Sequence, residues 1–302
     1  MLKTLKPLLK TVIGSYPVNG LTGLEAVKNA VEKQLKAGVE LVSDGQTRRD
    51  MISYFTDHIP GFLIQDKQAK IVDKINPPEK TPILEDLVYA SSFLKEGCFL
   101  KAIITGPVTL VASAKIDKSS PYHGFLDQKL YVDLGEALKR EAELLLKSGA
   151  AFLQIDEPFY SVGAPIELGK LAIKIITENV KVPVGLHVCG DIRKVFSRLV
   201  SIEGVDVLSL EFAASPSNFT VINKQDLEKY DKILGVGCVN SQSSIVESVS
   251  SIKEILVKAS SILNSNNFIV HPDCGLRLLP GEVAYSKLVN MGVAVSELTL
   301  IS

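Results

Sequence analysis

Four side chains able to bind a metal stand at the ends of three short apolar runs. They are His187 and Cys189 in "VPVGLHVCGD", Glu211 in "VDVLSLEFA" and Cys274 in "FIVHPDCGLR". Each run is apolar and β-branched and stops at a Gly, Pro or small-residue turn, the pattern of a strand running into a loop. Side chains alternate across a strand, so His187 and Cys189, two positions apart, project to the same face. Imidazole, thiolate and carboxylate are donors that tetrahedral Zn²⁺ accepts. A lone His on an apolar strand is more often a hydrogen-bonded core residue, but His187 shares its face with Cys189 immediately before Gly190. Two thiolates with an exchangeable carboxylate suit the activation of an incoming thiol.

Other donors read differently. His271, near Cys274, is the competing ligand, and its alternative role is to support the site. Cys98 and Cys238 read as packing, because a buried thiol behaves as a small hydrophobe. His58 and His123 fall in loops without a visible partner, and Arg48 and Arg49 read as a solvated loop face.

Eight apolar runs that end in turn residues predict the strands that must position these groups: 11–15, 40–44, 100–106, 151–156, 184–188, 206–211, 232–239 and 267–271. Amphipathic stretches at 24–37, 131–147, 165–179, 191–200, 243–263 and 279–289 predict helices between most of them. Strand alternating with helix implies parallel pairing through helical crossovers, and eight such units make a closed (β/α)₈ TIM barrel. An open doubly wound sheet is the alternative, but no GxGxxG phosphate turn is present. Residues 45–97 hold Pro60, Pro77, Pro78 and Pro82 and predict an excursion over the barrel mouth; 113–127 is a second irregular loop. One catalytic domain over 1–302 is expected.

Bulk properties exclude several functions. The 302 residues are 46% hydrophobic with a formal net charge of -1, which leaves no basic surface for nucleic acid. No run approaches the ~20 apolar residues of a membrane span. "MLKTLKPLLKTV" is broken by Lys and Pro and does not read as a signal peptide. Four cysteines in a chain this long do not form a disulfide scaffold, so a reducing cytoplasm is expected.

Barrel chemistry sits at the C-terminal strand ends. Those ends carry Ser15, Asp44, Gln46, Thr105, Asp156, Glu157, Asn240 and the four candidate ligands. Asp156, level with the ligands, reads as an acceptor for a substrate ammonium; its bland reading is a helix N-cap. For Glu157 the two readings weigh equally. Ser15 before Pro17 also fits ordinary turn chemistry.

The segments "TVIGSYP", "VSDGQTRRDM", "ITGPVTL", "LQIDEP", "GLHVCGD", "LEFA" and "HPDCGLR" resemble the catalytic barrel of cobalamin-independent methionine synthase. They occur in family order across nearly the whole chain. The resemblance implies a (β/α)₈ barrel that methylates homocysteine to methionine. It implies zinc at His187, Cys189, Glu211 and Cys274, and an amino-acid site at Ile13, Ser15, Gln46 and Asp156. Long members of the family have a further N-terminal barrel, a Glu where Gln46 stands, and a folate-stacking Trp aligned with Ser113. They also carry a proton-donating His aligned with Gln242, which makes Gln242 the candidate catalytic group here beside Asp156. These departures point to the short, single-barrel form and to a methyl-corrinoid donor, free methylcobalamin or a corrinoid protein, in place of methyl-folate. A folate enzyme with its proton donor moved to His123 is the alternative. Two further readings stay open: a related zinc enzyme acting on another thiol, such as coenzyme M, and a non-catalytic zinc or homocysteine-binding protein.

Overall fold

The computed structural model describes residues 5–299. Its strands are β1 (Leu41–Val42), β2 (Phe62–Gln65), β3 (Gln68–Ile71), β4 (Phe99–Thr105), β5 (Lys115–Ile116), β6 (Phe152–Asp156), β7 (Val184–Val188), β8 (Val207–Glu211), β9 (Ile233–Gly237) and β10 (Phe268–His271). The helices are α1 (Gly23–Lys36), α2 (Ser53–Thr56), α3 (Ile83–Ser91), α4 (Pro107–Ser113) and α5 (Gln128–Leu146). They continue with α6 (Ile166–Thr177), α7 (Phe196–Leu199), α8 (Lys224–Lys229), α9 (Val249–Leu263) and α10 (Gly281–Thr299).

Seven strands form one parallel sheet in the order β1-β4-β6-β7-β8-β9-β10, each beside the next in sequence. The sheet curls until its edges meet on residues 10–11. Lys10 bridges Val270 and Thr11 bridges Leu41, both in parallel. The Thr11 N–H donates to Val270 O at 2.8 Å, and the Leu41 N–H donates to Lys10 O at 3.1 Å. The chain is therefore an α/β barrel whose first staves are short. The strand predicted at 11–15 is reduced to bridges at its start because side chains take over its carbonyls. Ile13 O accepts from Gln154 Nε2 at 2.7 Å, and Gly14 O accepts from Ser43 Oγ at 2.7 Å. The strand predicted at 40–44 stops at Val42, where the Ser43 N–H turns to Gln34 Oε1 at 2.9 Å.

Alternate residues of each strand face the barrel axis. Leu9, Leu41, Phe152, Val207 and Ile269 pack together as a small apolar cluster that closes the N-terminal half. Their outward neighbours, including Leu153, Leu186, Leu208 and Val270, join the large core under the helices. Above the apolar plug several inward positions are polar, among them Lys101, Gln154, Ser209 and His271, all buried. The two irregular loops fold together. β2 pairs antiparallel with β3 inside the 45–97 excursion, and β3 pairs parallel with β5 from the second loop.

Candidate metal and substrate site

His187 ends β7 facing the barrel axis, Cys189 follows on the same face, and Cys274 arrives in the loop after β10. The ligating atoms of these three residues all lie within 4.8 Å of one another. The His187 Nδ1 lies 3.1 Å from Ser209 O, a hydrogen bond that leaves Nε2 as the free acceptor. That Nε2 is buried and has no partner. A buried acceptor left orphaned beside two thiols is costly unless something fills the gap, and a thiophilic cation is what this donor set fits.

The titration behaviour of the trio agrees with one shared site. A hydrogen bond to Cys274 holds the Cys189 thiol below its ordinary pKa, against the effect of burial. The same contact with Cys189, and then burial, pushes Cys274 well above it. Burial opposes charge on His187, yet the Cys274 contacts and the charge of Asp156 keep its pKa raised. Opposed shifts of this kind mark two sulfurs that share a hydrogen bond, and a cation between them would favour the thiolate form of both.

Glu211 stands slightly apart. It ends β8, but its Oε2 accepts from the Gly190 N–H at 2.9 Å and its Oε1 from the Ser215 hydroxyl at 2.7 Å. It is not one of the three residues whose donors converge. His271 does not join them either. Its Nδ1 lies 2.7 Å from Pro272 O, its ring stands edge-on to His187 at 6.4 Å, and burial pulls its pKa down to about 3. It is a neutral ring against the back of His187.

Two residues that the sequence did not single out hold the ligand loops. Asn218 donates through Nδ2 to Gly190 O at 2.9 Å and to Glu211 O at 2.8 Å, and its Oδ1 accepts from the Ile192 N–H at 3.1 Å. Asp273 accepts from the N–H groups of Phe212, Ala213 and Ala214 at 3.0, 3.0 and 2.7 Å. Together they tie the loops after β7, β8 and β10 into one unit. Gly237 makes room for this, since a Cβ there would sit 2.6 Å from Asp273 Oδ1. The only signal in the sequence was that Asp273 adjoins Cys274.

A cavity of about 280 Å³ opens above the trio, and Ile13, Ser15, Gln46 and Asp156 line it together with His187, Cys189 and Cys274. Gln46 reaches it on a left-handed backbone (φ 43°) just after Gly45 (φ 81°). That conformation is costly for a residue with a side chain and persists only when its surroundings impose it. Asp44 Oδ1 accepts the Gln46 N–H at 3.2 Å, and Arg277 Nη1 donates to Gln46 O at 3.0 Å. Gln242 is not part of the lining; it is exposed beyond β9, with its N–H on Asn240 Oδ1 at 2.8 Å. His123 is also exposed and away from the cavity.

Other sequence readings resolve into structure. Glu157 caps α4, accepting from the Val108 N–H, the Thr109 N–H and the Thr109 hydroxyl at 2.8, 2.9 and 2.6 Å. Each buried donor left unsatisfied costs roughly 1–3 kcal/mol. Chemical denaturation of Glu157→Ala should therefore show a loss of at least ~2 kcal/mol with the cavity residues untouched; an unchanged midpoint would deny the cap its weight. His58, which had no visible partner in the sequence, meets buried Glu141 at 2.9 Å. Arg48 is not simply solvated: it grips buried Asp86 with two hydrogen bonds of 2.6 and 2.5 Å.

Residues 21–297 match the family model described as the catalytic domain of cobalamin-independent synthase. A protein of Methanothermobacter marburgensis named methionine synthase is 39% identical over 98% of this chain and 94% of its own length. One of the same name from Methanocaldococcus jannaschii is 35% identical over 94% and 97%. Among solved structures, a B12-independent methionine synthase from Shewanella, in complex with selenomethionine, superposes with a TM-score of 0.79. It is 20% identical over 98% of both chains, a likeness of fold. The chain belongs to the cobalamin-independent synthase catalytic-domain family and is a methyltransferase of the methionine synthase type.

Proposed function

We propose that this barrel transfers a methyl group to the thiol of homocysteine at a zinc ion held by His187, Cys189 and Cys274, with Glu211 as the exchangeable fourth ligand. The observation that carries this reading is the orphaned Nε2 of His187 beside two sulfurs, under a cavity walled by Asp156. Bound zinc would supply the Lewis acidity that keeps a substrate thiol deprotonated at neutral pH.

The protein's own groups do the rest. Asp156 accepts the substrate ammonium, the backbone at Ile13–Ser15 and the Ser15 hydroxyl receive its carboxylate, and Gln46 closes the side of the cavity. Glu211 has somewhere to go when the thiol takes its place. With the Gly190 N–H on one oxygen and the Ser215 hydroxyl on the other, the displaced carboxylate stays satisfied. The substrate sulfur then attacks a methyl group presented from the mouth. We place the reaction in the reducing cytoplasm, which keeps Cys189 and Cys274 as thiols. Among the described residues no helix is long and apolar enough to cross a membrane.

The donor we propose is a methyl-corrinoid, free or carried by a corrinoid protein. The family's "cobalamin-independent" describes enzymes without a resident cobalamin; here the corrinoid is a substrate. Methyl transfer from folate leaves an amine nitrogen that needs a proton, and a general acid typically contributes about 10²–10⁴-fold there. Methyl-cobalt needs none: the sulfur takes the methyl carbon and the carbon–cobalt electron pair stays on cobalt. The positions that would serve folate support this. The chain has no Trp, Ser113 merely ends α4, and Gln242 and His123 lie away from the cavity. Leu278, which lines the cavity, is 94% exposed and gives the mouth an apolar rim there. Such a rim suits a broad, flat macrocycle. Parallel assays with homocysteine should give methionine from methylcobalamin and little from methyl-folate. Efficient turnover with the folate alone would refute the donor assignment.

A further inference from the structure

We propose that Lys101 and Gln154, buried beneath the cavity, are a positioning pair that fixes which oxygen of Asp156 meets the substrate and so selects a thiol carrying an amino group. The proposal rests on the reading of Asp156 as the ammonium acceptor.

Lys101 faces the barrel axis from β4 and is 1% exposed. Its ammonium donates to Gln154 Oε1 at 2.6 Å, and among the described residues no carboxylate lies within 4.0 Å to pair with it. A buried ammonium that uses one of three donors is expensive to keep, which asks for a purpose beyond packing. Burial works against the charge on Lys101, and the negative charge of Asp156 favours it. The Phe152 ring lies 5.9 Å below, and His271 is close enough for the lysine to help depress its pKa.

The purpose is visible in the amide. With Oε1 committed to the ammonium, the Gln154 NH₂ must face the other way. It donates to Ile13 O at 2.7 Å and to Asp156 Oδ1 at 2.7 Å. A flipped amide would set its carbonyl against a carboxylate and a second carbonyl, and its NH₂ against an ammonium. Lys101 therefore locks the flip state. Asp156 Oδ1 is then occupied from below, and the residue offers its other oxygen to the cavity it lines. The same amide orients the far end of the substrate site. The Ile13–Gly14 peptide is trans, so holding the carbonyl down turns the Gly14 N–H the opposite way. Neither Lys101 nor Gln154 lines the cavity, so both act through Asp156 and Ile13.

The test uses two variants and two ligands on the zinc-loaded protein: homocysteine, and 4-sulfanylbutanoate, which is homocysteine without its amino group. Gln154→Glu is isosteric and gives Lys101 a full ion pair, so a purely structural role would survive it. It cannot donate to Asp156, and it places a like charge there. Calorimetry should show the preference for homocysteine over 4-sulfanylbutanoate falling by at least ~10-fold in Gln154→Glu, with zinc content unchanged. Lys101→Met, which frees the amide to flip, should lower the same ratio by a smaller factor and serves alone if Gln154→Glu fails to fold. A ratio unchanged in the folded variants would overturn the positioning role. If the wild-type protein shows no preference for homocysteine, the ammonium reading of Asp156 fails instead, and this inference falls with it.

Discussion

Cys189→Ser and Cys274→Ser should each leave the purified protein with little or no zinc, and the wild type should carry one ion per chain. Removing a group that merely supports a ligand typically weakens metal binding by about 10–100-fold, so loss of a direct thiolate should exceed that range. The hydroxyl of Ser is a poor replacement, because it is not deprotonated at neutral pH and is a hard donor where zinc favours sulfur. The structure supplies its own control. His271 is as buried as His187, points into the same barrel and also has a buried Nε2 without a partner, but it is not among the three residues whose donor atoms converge. His271→Asn should therefore retain zinc, whatever it costs in packing. If both serine variants hold as much zinc as the wild type, the trio is not the metal site. If they lose stability with metal content unaltered, these residues are core packing.

How much of this was legible beforehand depended on the kind of signal. His187 and Cys189 could be paired from sequence because strand alternation is a fixed geometric rule, and β7 obeys it. Cys274 could be added because the ends of parallel strands converge in a barrel. Glu211 obeyed the same rule, yet its carboxylate bonds to Gly190 and Ser215 at some remove from the three donors. Strand position fixes where a side chain starts; hydrogen bonds from its own loop decide where it ends.

The short first staves were illegible for a related reason. The apolar run at 11–15 looks like a strand, but Gln154 and Ser43 claim the carbonyls that a full strand would need. Those partners lie far away in sequence, and a local pattern carries no trace of them. Asn218 and Asp273 were missed on the same grounds, since each works by joining loops from different strands. The helix at 191–200 shrinks to α7, and Gly190 and Ile192, just after Cys189, are instead hydrogen-bonded to Asn218.

Asp156→Asn should weaken homocysteine binding by about 2–5 kcal/mol, roughly 30-fold to a few thousand-fold, while zinc stays in place. A neutral isostere is often a mild change, but the groups beneath residue 156 make this one severe. Gln154 presents an N–H to the inner oxygen of residue 156. An Asn would satisfy that donor with its carbonyl oxygen, and its NH₂ would then face the cavity. The substrate ammonium would meet a donor in place of a carboxylate, so the change converts an attraction into a repulsion. Gln46 cannot compensate, because it lacks a charge. Binding of 4-sulfanylbutanoate, which brings no ammonium, should change far less. Calorimetry with both ligands on the zinc-loaded variant separates the possibilities. Equal losses would mean that Asp156 only shapes the cavity, and an unchanged homocysteine affinity would remove it from the substrate site.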